Sequence, residues 1–205
     1  MKTISLNVGA FESECYLLAL PELLILDPGD DSAVIRNAVE KTGATVTAYL
    51  LTHGHADHLS ALEALLESDP APVYLHEADA AWSFTAANQI PPFYEAPQAA
   101  PENLVRLRDG QRLEFGTHTV DVIATPGHTP GSVCFYIENE QCLFSGDTLF
   151  NGSVGRTDLP GGDARQLQAS LRRLATLPPE TRVYPSHGPA TTIERELRLN
   201  PFMQS

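Results

Sequence analysis

The chain has 205 residues, 42% of them hydrophobic and 19% charged, a globular profile long enough to bury a sizeable core. Its 13 basic and 26 acidic side chains leave a formal net charge of −13, which repels phosphate backbones and argues against nucleic acid as a partner. No stretch approaches the roughly 18 apolar residues of a membrane span, and Met1–Val8 lacks the apolar core of an export signal.

Met1–Val8, Cys15–Leu20 and Leu23–Leu26 read as strands, the last ending in the turn Asp27-Pro28-Gly29. Asp31-Ser32 is placed to cap a helix with Val34, Ile35, Ala38 and Val39 on one side. Val46–Leu51 is nearly all apolar, as a buried strand requires. After the loop His53–Asp57, Leu59, Leu62, Leu65 and Leu66 share one helical face, closed by Pro70 and Pro72, and Val73–Leu75 starts another strand. Four prolines in Ala86–Pro101 predict an irregular loop. Its aromatics, with Trp82 and Phe84 just before it and Phe93 and Tyr94 within, serve either as anchors or as part of a flap over a site.

Strands follow near Val105 and over Arg112–Phe115, Thr119–Ala124, Ser132–Ile137 and Gln141–Ser145. Their period-two patterning predicts antiparallel pairing. Asp163 caps a helix carrying Leu167, Leu171 and Leu174; Arg182–Tyr184 is the last strand and Thr192–Leu199 the last helix. The two halves are loosely alike, with no linker between them, so a single domain over residues 1–205 is expected. Three cysteines, Cys15, Cys134 and Cys142, with no paired spacing do not make a disulfide framework. They read as buried thiols in a reducing, cytoplasmic compartment.

The chemistry concentrates in Thr52-His53-Gly54-His55-Ala56-Asp57-His58, which holds three of the chain's seven histidines. Alternate residues of a strand-end loop point the same way, so His53 and His55 converge, and Asp57 and His58 turn to the other side. His128, Asp147 and His187 each follow a strand and are flanked by Gly or Pro, which hold rigid turns. Imidazole and carboxylate donors suit zinc, iron or manganese. Seven ligands exceed one tetrahedral ion and suit two ions sharing a carboxylate, with Asp147 the natural bridge.

This ordered set resembles the metallo-β-lactamase superfamily along the whole chain. The resemblance implies an α+β fold, a four-layer αββα sandwich, with the metals at one edge of the two sheets. It implies one ion on His53, His55, His128 and Asp147, and a second on Asp57, His58, Asp147 and His187. Asp27 matches a family carboxylate, either supporting the metal loop or serving as a plain turn residue. Thr52–His58, Phe144–Phe150 and Gly152–Asp158 resemble glyoxalase II-type hydroxyacylglutathione hydrolases. Gly155–Asp163 and Asn200-Pro201-Phe202 resemble their short single-domain subgroup.

That likeness implies hydrolysis of an S-(2-hydroxyacyl)glutathione thioester, such as S-lactoylglutathione, by a hydroxide held between two divalent ions, zinc first among them. Asp57 would orient the hydroxide. Arg156 stands where the longer enzymes carry a basic residue, so it either clamps a substrate carboxylate or pairs structurally with Asp158. The rivals are a mononuclear-iron persulfide dioxygenase using His53, His128 and Asp147, and a lactonase of the same fold. A small-molecule thioester is the expected partner; the oligomeric state is left open.

Overall fold

Leu23–Leu26 is an unbroken apolar run, and Val46–Leu50 is apolar but for Thr47. In the computed structural model, which describes residues 1–20 and 22–204, both are strands with almost every side chain out of water. By its internal contacts the chain divides into two compact units. One is Met1–Leu107 with Phe115–Thr117, and the other is Arg108–Glu114 with His118–Ser205.

The first unit contains the strands β1 (Lys2–Val8), β2 (Ser13–Ala19), β3 (Leu23–Leu26), β4 (Val46–Leu50), β5 (Val73–His76), β6 (Gln89–Ile90), β7 (Tyr94–Glu95) and β8 (Leu104–Leu107). Six of them form a sheet in the order β1-β2-β3-β4-β5-β8; β6 and β7 make a separate hairpin. β1, β2 and β3 are antiparallel, whereas β3, β4, β5 and β8 run parallel. The expectation of antiparallel pairing for the strand at Val105 is therefore corrected. The connection from β5 exceeds the dozen or so residues that a parallel crossover needs, so the chain returns beside β5 in the same direction.

Helix α1 (Ser32–Thr42) buries Ile35 and Val39. Asp31 sits at its N-cap, as the sequence predicts, yet makes no capping bond; its carboxylate accepts the Gly9 amide at 2.9 Å instead. The helix expected from Leu59 begins later. Ala56–His58 form one 3-10 turn, and α2 spans Leu62–Ser68 with Leu62 and Leu65 buried. A short α3 (Glu77–Ala80), unforeseen, follows β5. Leu17, Ile25, Ile35, Tyr49, Leu62 and Val73 belong to one core cluster.

The segment 86–101 is less irregular than its prolines suggest. A 3-10 turn (Ala86–Asn88) leads into the β6–β7 hairpin, which carries a cis Pro91–Pro92 bond. Phe84, Asn88, Tyr94 and Ala96 are buried, and the Tyr94 hydroxyl accepts the Phe11 amide at 2.8 Å. The aromatic-anchor reading holds for Phe84 and Tyr94.

The second unit contains β9 (Arg112–Phe115), β10 (His118–Ala124), β11 (Val133–Ile137), β12 (Cys142–Gly146), β13 (Leu149–Phe150), β14 (Ser153–Val154), β15 (Arg182–Pro185) and β16 (Thr191–Thr192). Its six-stranded sheet runs β16-β15-β12-β11-β10-β9, antiparallel except for the parallel pair β12–β15. Asp163 caps α4 (Ala164–Leu174) as expected, accepting the amides of Arg165 and Gln166 at 2.8 and 3.1 Å. Leu167, Leu171 and Leu174 pack with Leu143, Val183 and Ile193, the last from α5 (Ile193–Leu199). All three cysteines are buried and free. Among the described residues no helix is long and apolar enough to cross a membrane.

Candidate metal centre

In the first unit, β3, β4 and β5 are parallel, so their C-terminal ends open on one edge of the sheet. Such an edge gathers functional loops in parallel sheets. Asp27 follows β3, Thr52 and His53 follow β4, and Asp79 lies just past β5.

His53 and His58 are fully buried; their ring centroids lie 4.1 Å apart, and those of His53 and His55 are 4.9 Å apart. Asp57 Oδ2 is 3.3 Å from His58 Nε2. These four imidazole and carboxylate donors lie within one loop, with the His58 ring nearer to His53 than the His55 ring is.

Other groups hold this loop in shape. Asp27 stands in left-handed backbone (φ 48°), which Asp tolerates better than most residues. From there its carboxylate accepts the Thr52 amide (2.8 Å) and hydroxyl (2.7 Å), and Oδ2 reaches His58 Nδ1 at 3.4 Å. Of the two sequence readings of Asp27, the structure realises the supporting one. Thr52 Oγ1 in turn contacts His53 Nδ1 at 3.1 Å. Contacts of this kind fix ring orientation and tautomer at metal sites.

Three further groups escaped the sequence. Ser13 donates to Asp57 Oδ2 at 3.2 Å. Asp79 accepts the Gly54 amide at 2.9 Å, and Asn88 donates to the Gly54 carbonyl at 2.7 Å. None of them lies in a recognisable motif; only the folded chain brings them to the loop. A Cβ on Gly29 would overlap the Asp57 carbonyl oxygen, so this approach admits no side chain.

In the second unit, the β12–β15 register pairs Gly146 with Pro185. Asp147 and His187, just beyond those ends, therefore come together. Asp147 Oδ1 lies 3.7 Å from His187 Nε2, and Oδ2 lies 3.4 Å from His128 Nε2. The Arg156 carbonyl sits 2.8 Å from His128 Nδ1, which fixes that ring's donor nitrogen. This backbone role of Arg156 is invisible in sequence. Gly155 repeats the Gly29 device, since a Cβ there would overlap the Asp147 carbonyl.

The Arg156 side chain makes a bidentate pair with Asp158, at 2.7 and 2.8 Å. The guanidinium beside Asp158 lowers that carboxyl to about 2. The structural-pair reading of Arg156 is thus the one realised in this conformation, with both side chains mostly in water.

The donors fit divalent ions. They are imidazoles and carboxylates, a set that accepts zinc, iron or manganese. Thiolate ligands are not on offer. Burial, with the charges of Asp27 and Glu14, pushes the Cys15 thiol well up, and burial raises Cys134 to about 11. Asp27→Ala is expected to weaken metal binding by about 10- to 100-fold, because His58 and Thr52 lose their common anchor. Metal titration of the variant against a chromogenic chelator checks this; unchanged affinity would return Asp27 to the role of turn residue.

Strand-end histidines and carboxylates of this kind define a class. The family profile of the metallo-β-lactamase superfamily matches residues 9–187, and the chain belongs to that superfamily. Its fold follows: the B3 metallo-β-lactamase BLEG-1 superposes with a TM-score of 0.91 at 36% identity, covering 100% of both chains. The α+β expectation is met. A di-iron-bound form of TTHA1623 superposes with a TM-score of 0.87 at 42% identity, over 97% of this chain and 99% of that one. Among curated relatives, a probable metallo-hydrolase of Bacillus subtilis, YqgX, is 36% identical over 99% of this chain and 98% of its own length. The hydroxyacylglutathione hydrolase GloC of Haemophilus influenzae is 30% identical, over 97% of this chain and 96% of its own length.

Proposed function

We propose that the protein is a binuclear metal-dependent thioesterase acting on S-(2-hydroxyacyl)glutathione-like substrates, in which both units serve one hydrolase domain. The observation that carries it is the placing of Asp147, with one carboxylate oxygen toward His128 and the other toward His187. A carboxylate so flanked is suited to bridging two ions. A mononuclear iron site needs no such bridge.

In this reading His53, His55, His128 and Asp147 hold one ion, and Asp57, His58, Asp147 and His187 hold the other. Such a pair supplies a hydroxide nucleophile near neutral pH and polarises the carbonyl under attack. The rest falls to the chain. Asp57, kept in place by Ser13, orients the attacking water. Asp27 and the Arg156 carbonyl keep His58 and His128 in one ring orientation, so the donors need no rearrangement during turnover. A thiolate is a good leaving group, so no strong general acid is required. The likeness to GloC supports the substrate class, and the di-iron form of TTHA1623 supports two ions.

Arg156 leaves Asp158 to bind the substrate carboxylate. Both partners lie mostly in water, which screens the pair and lets the guanidinium exchange one carboxylate for another. Arg156→Ala is expected to raise KM about ten-fold for a carboxylate-bearing thioester and little for a neutral one. Equal effects on both would end the clamp role.

The decisive experiment combines metal analysis with anaerobic hydrolysis of S-lactoylglutathione. About two ions per chain and oxygen-independent turnover are expected. One iron, no hydrolysis, and oxygen uptake with glutathione persulfide would replace the reading with a dioxygenase. Turnover of a lactone or a β-lactam alone would move the protein to another branch of the superfamily.

A further inference from the structure

Two phenylalanines of the first unit stay in water: Phe11 is 42% exposed and Phe93 52%. Exposed large apolar groups that touch one another are more informative than scattered ones. Their ring centroids are 5.7 Å apart, and Phe11 also meets Tyr94 at 4.9 Å, edge to face.

This pair is held firmly. Phe11 lies in the tight turn between β1 and β2, whose Gly9 amide is bonded to Asp31 and whose Phe11 amide is bonded to the Tyr94 hydroxyl. Tyr94 itself is buried, next to Phe93 in the β6–β7 hairpin. Fixed apolar rings exposed to solvent forgo burial that a ligand could restore, and their rigidity lowers the cost of binding.

The pair also sits beside the metal-ligand turn. Both β2 and β7 pack against Ala56–His58. Ser13, two residues beyond Phe11, bonds Asp57 directly. A third ring, Trp82, lies 5.5 Å from His55. Acidic groups lie close by: Glu12 adjoins Phe11, Asp31 holds Gly9, and Asp30 lies against Gly9 as well.

We infer that Phe11 and Phe93 form the acyl-group subsite and, among 2-hydroxyacyl groups, select neutral aryl or branched-alkyl side chains over methyl-sized or anionic ones. The inference rests on the thioesterase reading. A thioester whose carbonyl carbon reaches the Asp57 side of the loop directs its acyl substituent toward the elements that carry these rings, since β2 and β7 both pack against the Ala56–His58 turn. The flanking carboxylates repel an anionic acyl group.

The test uses the metal-loaded protein and 2-hydroxyacyl glutathione thioesters differing only in the side chain: glycoloyl, lactoyl, malyl and mandeloyl. The wild type is expected to favour mandeloyl over lactoyl by roughly ten-fold in kcat/KM, the scale a hydrophobic pocket supplies, with malyl the poorest. In Phe11→Ser/Phe93→Ser that ratio falls toward one, the loss being concentrated in mandeloyl. A thioether analogue of the mandeloyl substrate binds correspondingly more weakly by calorimetry. Val34→Ser, an exposed apolar change on α1, keeps the ratio.

Hydrolysis with a flat acyl preference in the wild type overturns the subsite and leaves the thioesterase reading standing. So does an equal loss on all substrates in the double variant. If the double variant instead abolishes self-association seen by sedimentation while the ratio stays put, the pair is an interface between copies. Turnover of no thioester at all overturns both readings together.

Discussion

Replacing Asp147 with alanine is expected to lower bound metal from about two ions per chain to below one, and kcat/KM by at least about a thousandfold. A thousandfold corresponds to about 4 kcal/mol of transition-state stabilisation, a loss typical of removing a metal's Lewis acidity. Asp147 faces two imidazoles with different oxygens, His128 with Oδ2 and His187 with Oδ1. Its backbone is set as tightly, because Gly155 lies against its carbonyl where no Cβ fits. Asp147→Asn distinguishes charge from shape: it keeps the volume and one acceptor but loses the second anionic oxygen. Metal analysis by mass spectrometry and circular dichroism on the same samples check the result. Two ions retained in a folded Asp147→Ala variant would remove Asp147 from the bridging position.

Glu196→Gln is expected to destabilise the fold by about 2–4 kcal/mol, a drop in Tm of about 10 °C for a protein of this size. Glu196 is fully buried in α5. Its carboxylate accepts the Gly152 amide (2.8 Å), the Thr191 hydroxyl (2.6 Å), the Asn200 amide (2.9 Å) and the Arg195 guanidinium (2.9 Å). An amide in its place turns an N–H toward these donors. Burial works to raise this carboxyl's pKa, but the four donors outweigh burial and hold it below its ordinary value. The sign for stability follows. A depressed folded pKa contributes stability that is present above the unfolded value of about 4.3 and is lost as pH falls through the folded value. Wild-type Tm should therefore decline below about pH 4.3 more steeply than that of Glu196→Gln. Parallel acid profiles for the two proteins would show that Glu196 is not the group responsible.

Much of the chemistry was legible because metal ligation depends on residue type and local spacing. His53, His55, Asp57 and His58 share one loop, although alternation turns His58 away from His53 and the structure sets their rings 4.1 Å apart; Asp163 caps its helix through its own short side chain. Asp31, identical in kind and position, fails to cap because a distant backbone amide, Gly9, claims its carboxylate. Period-two patterning shows that residues 104–107 form a strand, but it is blind to direction. Direction is settled by which sheet edge is open and by the length of the crossover, so β8 lies parallel to β5.

The sequence by itself determined the donor types and the strand ends that carry them, because these follow from residue type and short-range periodicity, and the likeness of its ordered motifs to a known family pointed to the class. Only the tertiary structure decided what supports those donors. Ser13 reaches Asp57 from 44 residues away, the Arg156 carbonyl reaches His128 from 28 away, and Glu196 gathers donors from both sides of β16. A hydrogen bond depends on distance and angle, and the chain brings such partners together only when each unit folds. No local pattern announces them.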